Sequence, residues 1–227
     1  MRIFVAGATG ATGATFVPLA AAKGHDLVLH VRPKSAEKSP LGKDPRARVF
    51  DLSDEQALVA ALKDCDAIVS FVGTMKSRFN EGDTYASSDI ASAEQLAKGA
   101  RAASVPRFLL LSSYGAGGPG AYLAMKRQCE KIVEESGVSW TIFRPSSLVT
   151  APGTEVGEHG KRSAPPGAGL FSVVRKLPGL SGWADDVKPI PLTVLSKAFL
   201  KVLESPMPSR ILSGRELWKL GADSQAT

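Results

Sequence analysis

Cysteine is almost missing from this 227-residue chain. Cys65 and Cys129 stand far apart, and neither has a neighbour at CxxC spacing. That argues against a disulfide framework and against a thiolate metal site. Cys129 lies among Met125, Ile132 and Val133 and reads as a small core hydrophobe. His25, His30 and His159 are isolated from one another, and no metal is expected. Long apolar runs are missing too. No stretch reaches the ~20 apolar residues of a membrane span, and no signal-peptide core opens the chain. Together these predict a cytoplasmic protein. Blocks of like charge are lacking: lysine and arginine are scattered, and aromatics make up 7%. Nucleic acid is therefore not the expected partner. The net charge of +6 and the pI of about 9.4 suit a polyanionic small ligand equally well.

What the chain has is glycine in a pattern. "VAGATGATGA" runs from Val5 to Ala14, with Gly7, Gly10 and Gly13 three apart and small residues between them. An apolar run, Arg2-Ile3-Phe4-Val5-Ala6, precedes the glycines. A helical stretch follows to Lys23, and Gly24 reads as its C′ cap. Asp26 to Arg32 then reads as a second strand, ended by Pro33. A glycine triplet alone is weak evidence; inside a strand–turn–helix–strand unit it is strong. A helix N-terminus has unpaired N–H groups and partial positive charge, and so attracts phosphate. Gly7 permits the turn, Gly10 lets a pyrophosphate touch the backbone, and Gly13 lets the helix pack on the sheet. Pro18 falls within this helix and predicts a kink.

The alternation continues. Strands are expected at Ala47–Phe50, Ala67–Val72, Arg107–Leu111 and Trp140–Arg144. Helices are expected from Ser53 (with Gln56 completing a capping box), over Tyr85–Ala103, over Ala121–Glu135, and from Thr193 to about Leu203. On the third of these, Tyr122, Met125, Cys129, Ile132 and Val133 form one stripe. The pattern predicts an α/β fold: a Rossmann-like, doubly wound parallel sheet with helices on both faces. The expected strand order is 3-2-1-4-5-6, with room for a short seventh strand. Residues 1–227 form a single domain on this reading, with a dinucleotide-binding core over 1–150. Residues 151–227 hold a substrate region, whose Gly/Pro-rich 151–182 reads as a lid or substrate loop.

Ligands of such sheets bind at the carboxyl ends of the strands. The residues expected there are Gly7, Thr9, Gly10, Ala11, Thr12 and Gly13 after the first strand. Arg32 and Lys34 follow the second, and Asp51 and Leu52 the third. Phe71, Val72 and Gly73 follow the fourth, with Thr74 beside them. Ser112 and Ser113 follow the fifth, and Pro145 and Ser146 the sixth.

"GATGATG", "FDLSD", "LLLSSYG", "YLAMK" and "WTIFRPSSL", in this order, resemble the short-chain dehydrogenase/reductase superfamily, and within it the atypical, NmrA-like NAD(P)H-binding branch. The resemblance covers about residues 2–150. It implies a Tyr-x-x-x-Lys pair at Tyr122 and Lys126, which share a helix face by their spacing. A cation within ~4–6 Å stabilises tyrosinate, so the pair suits proton donation to a carbonyl. The resemblance also implies a serine that holds that carbonyl, at Ser112 or Ser113, and an adenine contact at Asp51. Tyr114 is a further phenol expected to line the pocket. Arg32 stands where NAD-specific enzymes carry an acidic residue, and arginine suits a 2′-phosphate. NADP is thus the expected cofactor, and the expected activity is reduction of a small carbonyl, quinone or flavin. The branch also holds regulators without turnover, so a non-catalytic NADP(H)-binding protein acting through a protein partner is the alternative. Homo-oligomers stay open.

Overall fold

A computed structural model describes residues 1–73, 84–150, 186–205 and 207–222. Seven parallel strands form its main sheet, in chain order β1 Arg2–Ala6, β2 Asp26–Val31, β3 Ala47–Val49, β4 Ala67–Ser70, β5 Arg107–Leu111, β6 Ser139–Arg144 and β9 Arg210–Ser213. Their spatial order is β3-β2-β1-β4-β5-β6-β9. This is the doubly wound arrangement that the sequence predicts, with the seventh strand at the far edge. A two-residue ladder joins β7 Leu148–Val149 to β8 Ile190–Pro191. The helices are α1 Ala11–Ala22, α2 Pro33–Ala36, α3 Glu55–Leu62, α4 Ala91–Ala102, α5 Ala121–Glu134, α6 Leu192–Glu204 and α7 Gly214–Gly221.

Strand side chains alternate between faces, and the core divides accordingly. Ile3 and Val5 of β1 join Val69, Leu109 and Phe143 against Phe16 of α1 and Phe199 of α6. Phe4 and Ala6 face the other way, with Ile68, Phe108 and Ile142, against Leu58, Leu96 and Met125 of α3, α4 and α5. Both faces are covered, as a fully parallel sheet requires. No helix among the described residues is long and apolar enough to cross a membrane.

Local chemistry moves several expected boundaries. Helix α1 ends as predicted: Gly24 has φ +78°, its N–H donates to Ala21, and His25 N–H donates to Ala20. These two bonds close a Schellman motif. Pro18 lies inside α1 at an exposed position, and the helix continues through it to Ala22. Ser53 does not cap α3. Its N–H and hydroxyl both donate to Asp51 Oδ1, at 3.0 and 2.8 Å. The cap passes to Asp54, whose Oδ1 accepts from Ala57 N–H at 3.0 Å. Thr193 does not cap α6 either; Pro191, extended in β8, is the N-cap. The expected helix over Tyr85–Ala103 opens as a π-helical segment, Tyr85–Ile90, before α4. The lid expected at 151–182, together with Thr74 and His159, lies outside the described residues.

Candidate functional site

The glycine turn opens the site. Gly7 has φ +79°, and a Cβ there would meet the Phe71 carbonyl carbon at 2.9 Å. A Cβ on Gly13 would meet Gly7 O at 2.4 Å and Ala8 Cα at 2.7 Å. The fold itself therefore demands glycine at both positions. Gly10 is different. Its φ is an ordinary −76°, and a Cβ would find just Gly7 O, at 3.4 Å. Packing does not require Gly10, yet it is the N-cap of α1, with no side-chain cap and no acidic residue in the first turn. A small residue left over an open, positively polarised helix end fits a pyrophosphate. Ala11, Thr12 and Gly13 form the buried first turn, and Thr9 is half-buried beside it.

The edge beside β2 and β3 carries charge. Arg32 is half-buried, directly after β2, and Lys34 is exposed in α2. Asp51 is exposed beyond β3. Hydrogen bonds from the Ser53 N–H and hydroxyl hold the Asp51 carboxyl below the ordinary aspartate range. Both bonds fall on Oδ1. Leu52 turns into the core, as does Phe71, whose ring packs against Phe16 and Phe199. Phe71 contributes backbone, not ring, to the site. His30, between Phe4 and Phe50, is held neutral: burial lowers its pKa from 6.5 to about 4, against the opposing hydrogen bond to Phe50 O.

The expected Tyr-Lys pair lies in the first turns of α5. Lys126 is buried, and its Nζ stands 3.4 Å from Asp89 Oδ1, a carboxylate 3% exposed. The same Nζ is 5.8 Å from the centre of the Tyr122 ring. Gly73 closes over this pair: a Cβ there would sit 3.5 Å from Lys126 Nζ and 3.9 Å from Asp89 Oδ1. Tyr122 is 39% exposed, so it leaves the buried stripe of Met125, Cys129 and Val133 to which its spacing assigned it. Tyr85 lies against it, ring centres 6.0 Å apart. Asp89 is the residue that sequence reasoning missed. It sits in the π-helical segment, a form concentrated at functional sites, and its signal was a lone acid within a run of small residues.

The two serines part company. Ser112 is buried and donates to Glu130 Oε1 at 2.5 Å. Glu130 is fully buried and also accepts from Arg144 (2.7 and 2.5 Å) and Arg127 (3.1 Å). Burial alone would push its carboxyl up. The bonds from Arg144 and Ser112 outweigh that and hold it below the usual range. Ser112 thus belongs to a buried ionic knot joining β5, α5 and β6. Ser113 is half-buried and donates weakly to Tyr114 O, at 3.3 Å. Tyr114 is exposed, and its N–H donates to the buried Pro145. Ser146 donates to Lys188 O at 2.7 Å. Cys129 is inert as a nucleophile: burial pushes its thiol up to about 11. Among the described residues no cluster of His, Cys, Asp or Glu could hold a metal.

Gly7 meets Phe71, Gly73 follows it and meets Lys126, and Lys126 meets Tyr122, so one line of contacts runs from the glycine turn to the Tyr-Lys pair. A glycine turn between the first strand and its helix, in a doubly wound parallel sheet, marks a dinucleotide-binding fold. The sequence pattern of a family described as NAD(P)H-binding matches residues 7–171, and the chain belongs to that family. A sugar epimerase of Bacillus subtilis, YhfK, itself uncharacterised, is 29% identical over 163 residues, which span 68% of this chain and 75% of that protein. The Bordetella bronchiseptica enzyme WbmH, solved in complex with NAD+, superposes over 93% of this chain and 75% of its own, with TM-score 0.65 and 16% identity. The oxidoreductase YlbE of Lactococcus lactis covers 72% of this chain and 78% of its own, with TM-score 0.53 and 22% identity. The chain is thus an NAD(P)H-binding protein with relatives and fold neighbours among epimerases and oxidoreductases.

Proposed function

We propose that the chain is an NADPH-dependent reductase of a small carbonyl, quinone or flavin, built as one domain with its dinucleotide core in residues 1–150. The observation that carries the reading is the line of contacts from the glycine turn through Phe71, Gly73 and Lys126 to Tyr122. Gly10 and the N–H groups of the first turn of α1 would hold the pyrophosphate. Arg32, with Lys34 near it, would meet a 2′-phosphate. Asp51, through the Oδ2 that Ser53 leaves alone, would accept from the adenine amino group. When bound, the dinucleotide supplies hydride to the substrate carbon. Tyr122 would give its phenolic proton to the carbonyl oxygen, completing an alcohol. Lys126 would place positive charge beside the tyrosine and bind the ribose, with Asp89 fixing its position. Ser113 is the better candidate to hold the carbonyl, since the Ser112 hydroxyl is committed to Glu130.

One observation favours the regulatory reading. Tyr122 makes no hydrogen bond among the described residues, so serine and tyrosine are not joined in a relay. NADPH oxidation with a panel of aldehydes, ketones, quinones and flavins separates the two. General acid catalysis contributes about 10²–10⁴-fold, so Tyr122→Phe should cut carbonyl turnover by that much while NADPH affinity holds. Full activity on quinone or flavin in that variant would mean hydride transfer without a tyrosine acid. No turnover by the wild type on any acceptor, with NADPH bound tightly, would favour the regulator. Arg32→Ala tests the cofactor choice. Loss of a charge-assisted bond worth ~1.5–3 kcal/mol should weaken NADPH binding by roughly ten- to a hundred-fold and leave NADH binding unchanged. Equal losses for both would overturn the assignment.

A further inference from the structure

A cavity of about 200 Å³ is lined by Lys188, Arg215, Trp218 and Lys219, none of which belongs to the site described above. Its place in the fold follows from connectivity. Helix α7 begins at Gly214, directly after β9, whose Ser213 is in register with Arg144 at the end of β6. Lys188 precedes β8, and its carbonyl accepts from Ser146 just beyond β6. The cavity therefore adjoins the carboxyl edge of the sheet, where ligands of this architecture bind.

Every lining side chain offers a donor. Lys188 Nζ stands 4.1 Å from the centre of the Trp218 ring, a cation–π contact that restrains the ammonium. Arg215 is oriented by Asp186, whose Oδ1 accepts from its Nε at 3.1 Å and from its backbone N–H at 3.3 Å. The Trp218 indole N–H is buried and has no acceptor among the described residues. Leaving a buried donor unpaired costs about 1–3 kcal/mol, so an acceptor from outside the chain has something to satisfy. Among the described residues Asp186 is the acid that contacts this group, and it is engaged by Arg215. Glu216, on the same helix, is paired with Arg210. Three restrained or neighbouring cations, an orphan N–H and a cavity wide enough for a small functional group make an acceptor-rich ligand the fitting occupant.

We propose that this cavity binds a phosphate or carboxylate group of the substrate, which makes the substrate an anion. The assignment rests on the reductase reading for the word substrate, while the anion site stands on its own geometry. Isothermal titration of the full chain, saturated with NADPH and at constant ionic strength, is the test, with phenyl phosphate in one arm and benzoate in the other. Saturable binding is expected in at least one arm, and the stronger arm identifies the group. Arg215→Gln and Lys219→Gln should each weaken it by about tenfold, with NADPH affinity unchanged. No saturation in either arm, or unchanged affinity in both variants, overturns the proposal. Turnover is scored separately. A wild type that binds phenyl phosphate yet reduces no acceptor overturns the reductase reading and leaves the anion site intact. A wild type that reduces carbonyls yet binds neither anion does the reverse.

Discussion

Gly7, Gly10 and Gly13 look alike in the sequence and differ in what they are for. Gly7 and Gly13 are fixed by contacts inside the protein, at 2.9 and 2.4 Å for an added Cβ. Gly10 is not, and this gives a clean separation of stability from binding. Gly10→Val should leave the unfolding free energy within about 1 kcal/mol of wild type, the usual range for a site without core contacts. Dinucleotide affinity should fall by two orders of magnitude or so, since the branched side chain would occupy the anion's place at the helix start. Fluorescence titration of NADPH, run beside urea unfolding, reads both quantities. A folded variant with wild-type affinity would remove the phosphate role from this turn. The same residue scale shows where sequence reasoning stops. Ser112 and Ser113 cannot be told apart by type or spacing. Their roles divide because a buried carboxylate, nearly a full helix away in sequence, claims one hydroxyl.

Helix α5 carries both the proposed Tyr-Lys pair and the anchor. Tyr122 and Lys126 open it, and Glu130, one turn on, ties it to β6 and β5 through Arg144 and Ser112. Removing one partner of a buried ionic knot costs about 3–5 kcal/mol, because the remaining charges stay buried without compensation. Glu130→Gln should therefore lower unfolding stability by roughly that amount, while Ser112→Ala costs closer to 1–3 kcal/mol. Urea unfolding of the two variants checks the ranking; a Glu130→Gln protein as stable as wild type would mean the knot contributes no stability. The elements themselves were largely legible. Alternating apolar runs and glycine stops mark β1 to β6 and the helices α1, α3, α4, α5 and α6, whereas the four-residue α2 carries no such pattern. The misses have physical causes. Asp51 takes the hydrogen bonds that would have let Ser53 cap α3. The π-helical segment shifts Asp89 onto the Lys126 face, which a 3.6-residue period does not anticipate. Strand β9 is short and bears arginine and serine at its ends, so its membership in the sheet is decided by β6, not by its own sequence.

For the molecule as a whole, acid should weaken folding in two stages. His30 has a folded pKa near 4 against 6.5 when unfolded. The unfolded chain therefore takes up a proton first, and stability falls as pH drops from about 6.5 toward 4. The full effect is about 3 kcal/mol, at 1.36 kcal/mol per unit. Glu130 acts lower. Its folded carboxyl lies below the ordinary glutamate value, so its contribution is present above that value and lost as pH falls beneath it. Urea midpoints from pH 7 to 4 should decline less steeply in His30→Gln than in wild type. Equal slopes would show that the buried imidazole does not govern this range.

The edge position of β9 bears on the order in which the sheet is assembled. Strands β1 to β6 are joined by crossovers of ordinary length, but residues 145–209 separate β6 from the strand that covers its outer side. Closing a loop of that length costs roughly 4 kcal/mol of chain entropy. The two-residue β7–β8 ladder, negligible as a hydrogen-bond count, draws Leu148 to Ile190 and brings the returning chain back beside β6. Until β9 is seated, β6 presents an open row of backbone donors and acceptors, ready to pair with another molecule. The late return of one four-residue strand thus stands between the nascent sheet and self-association.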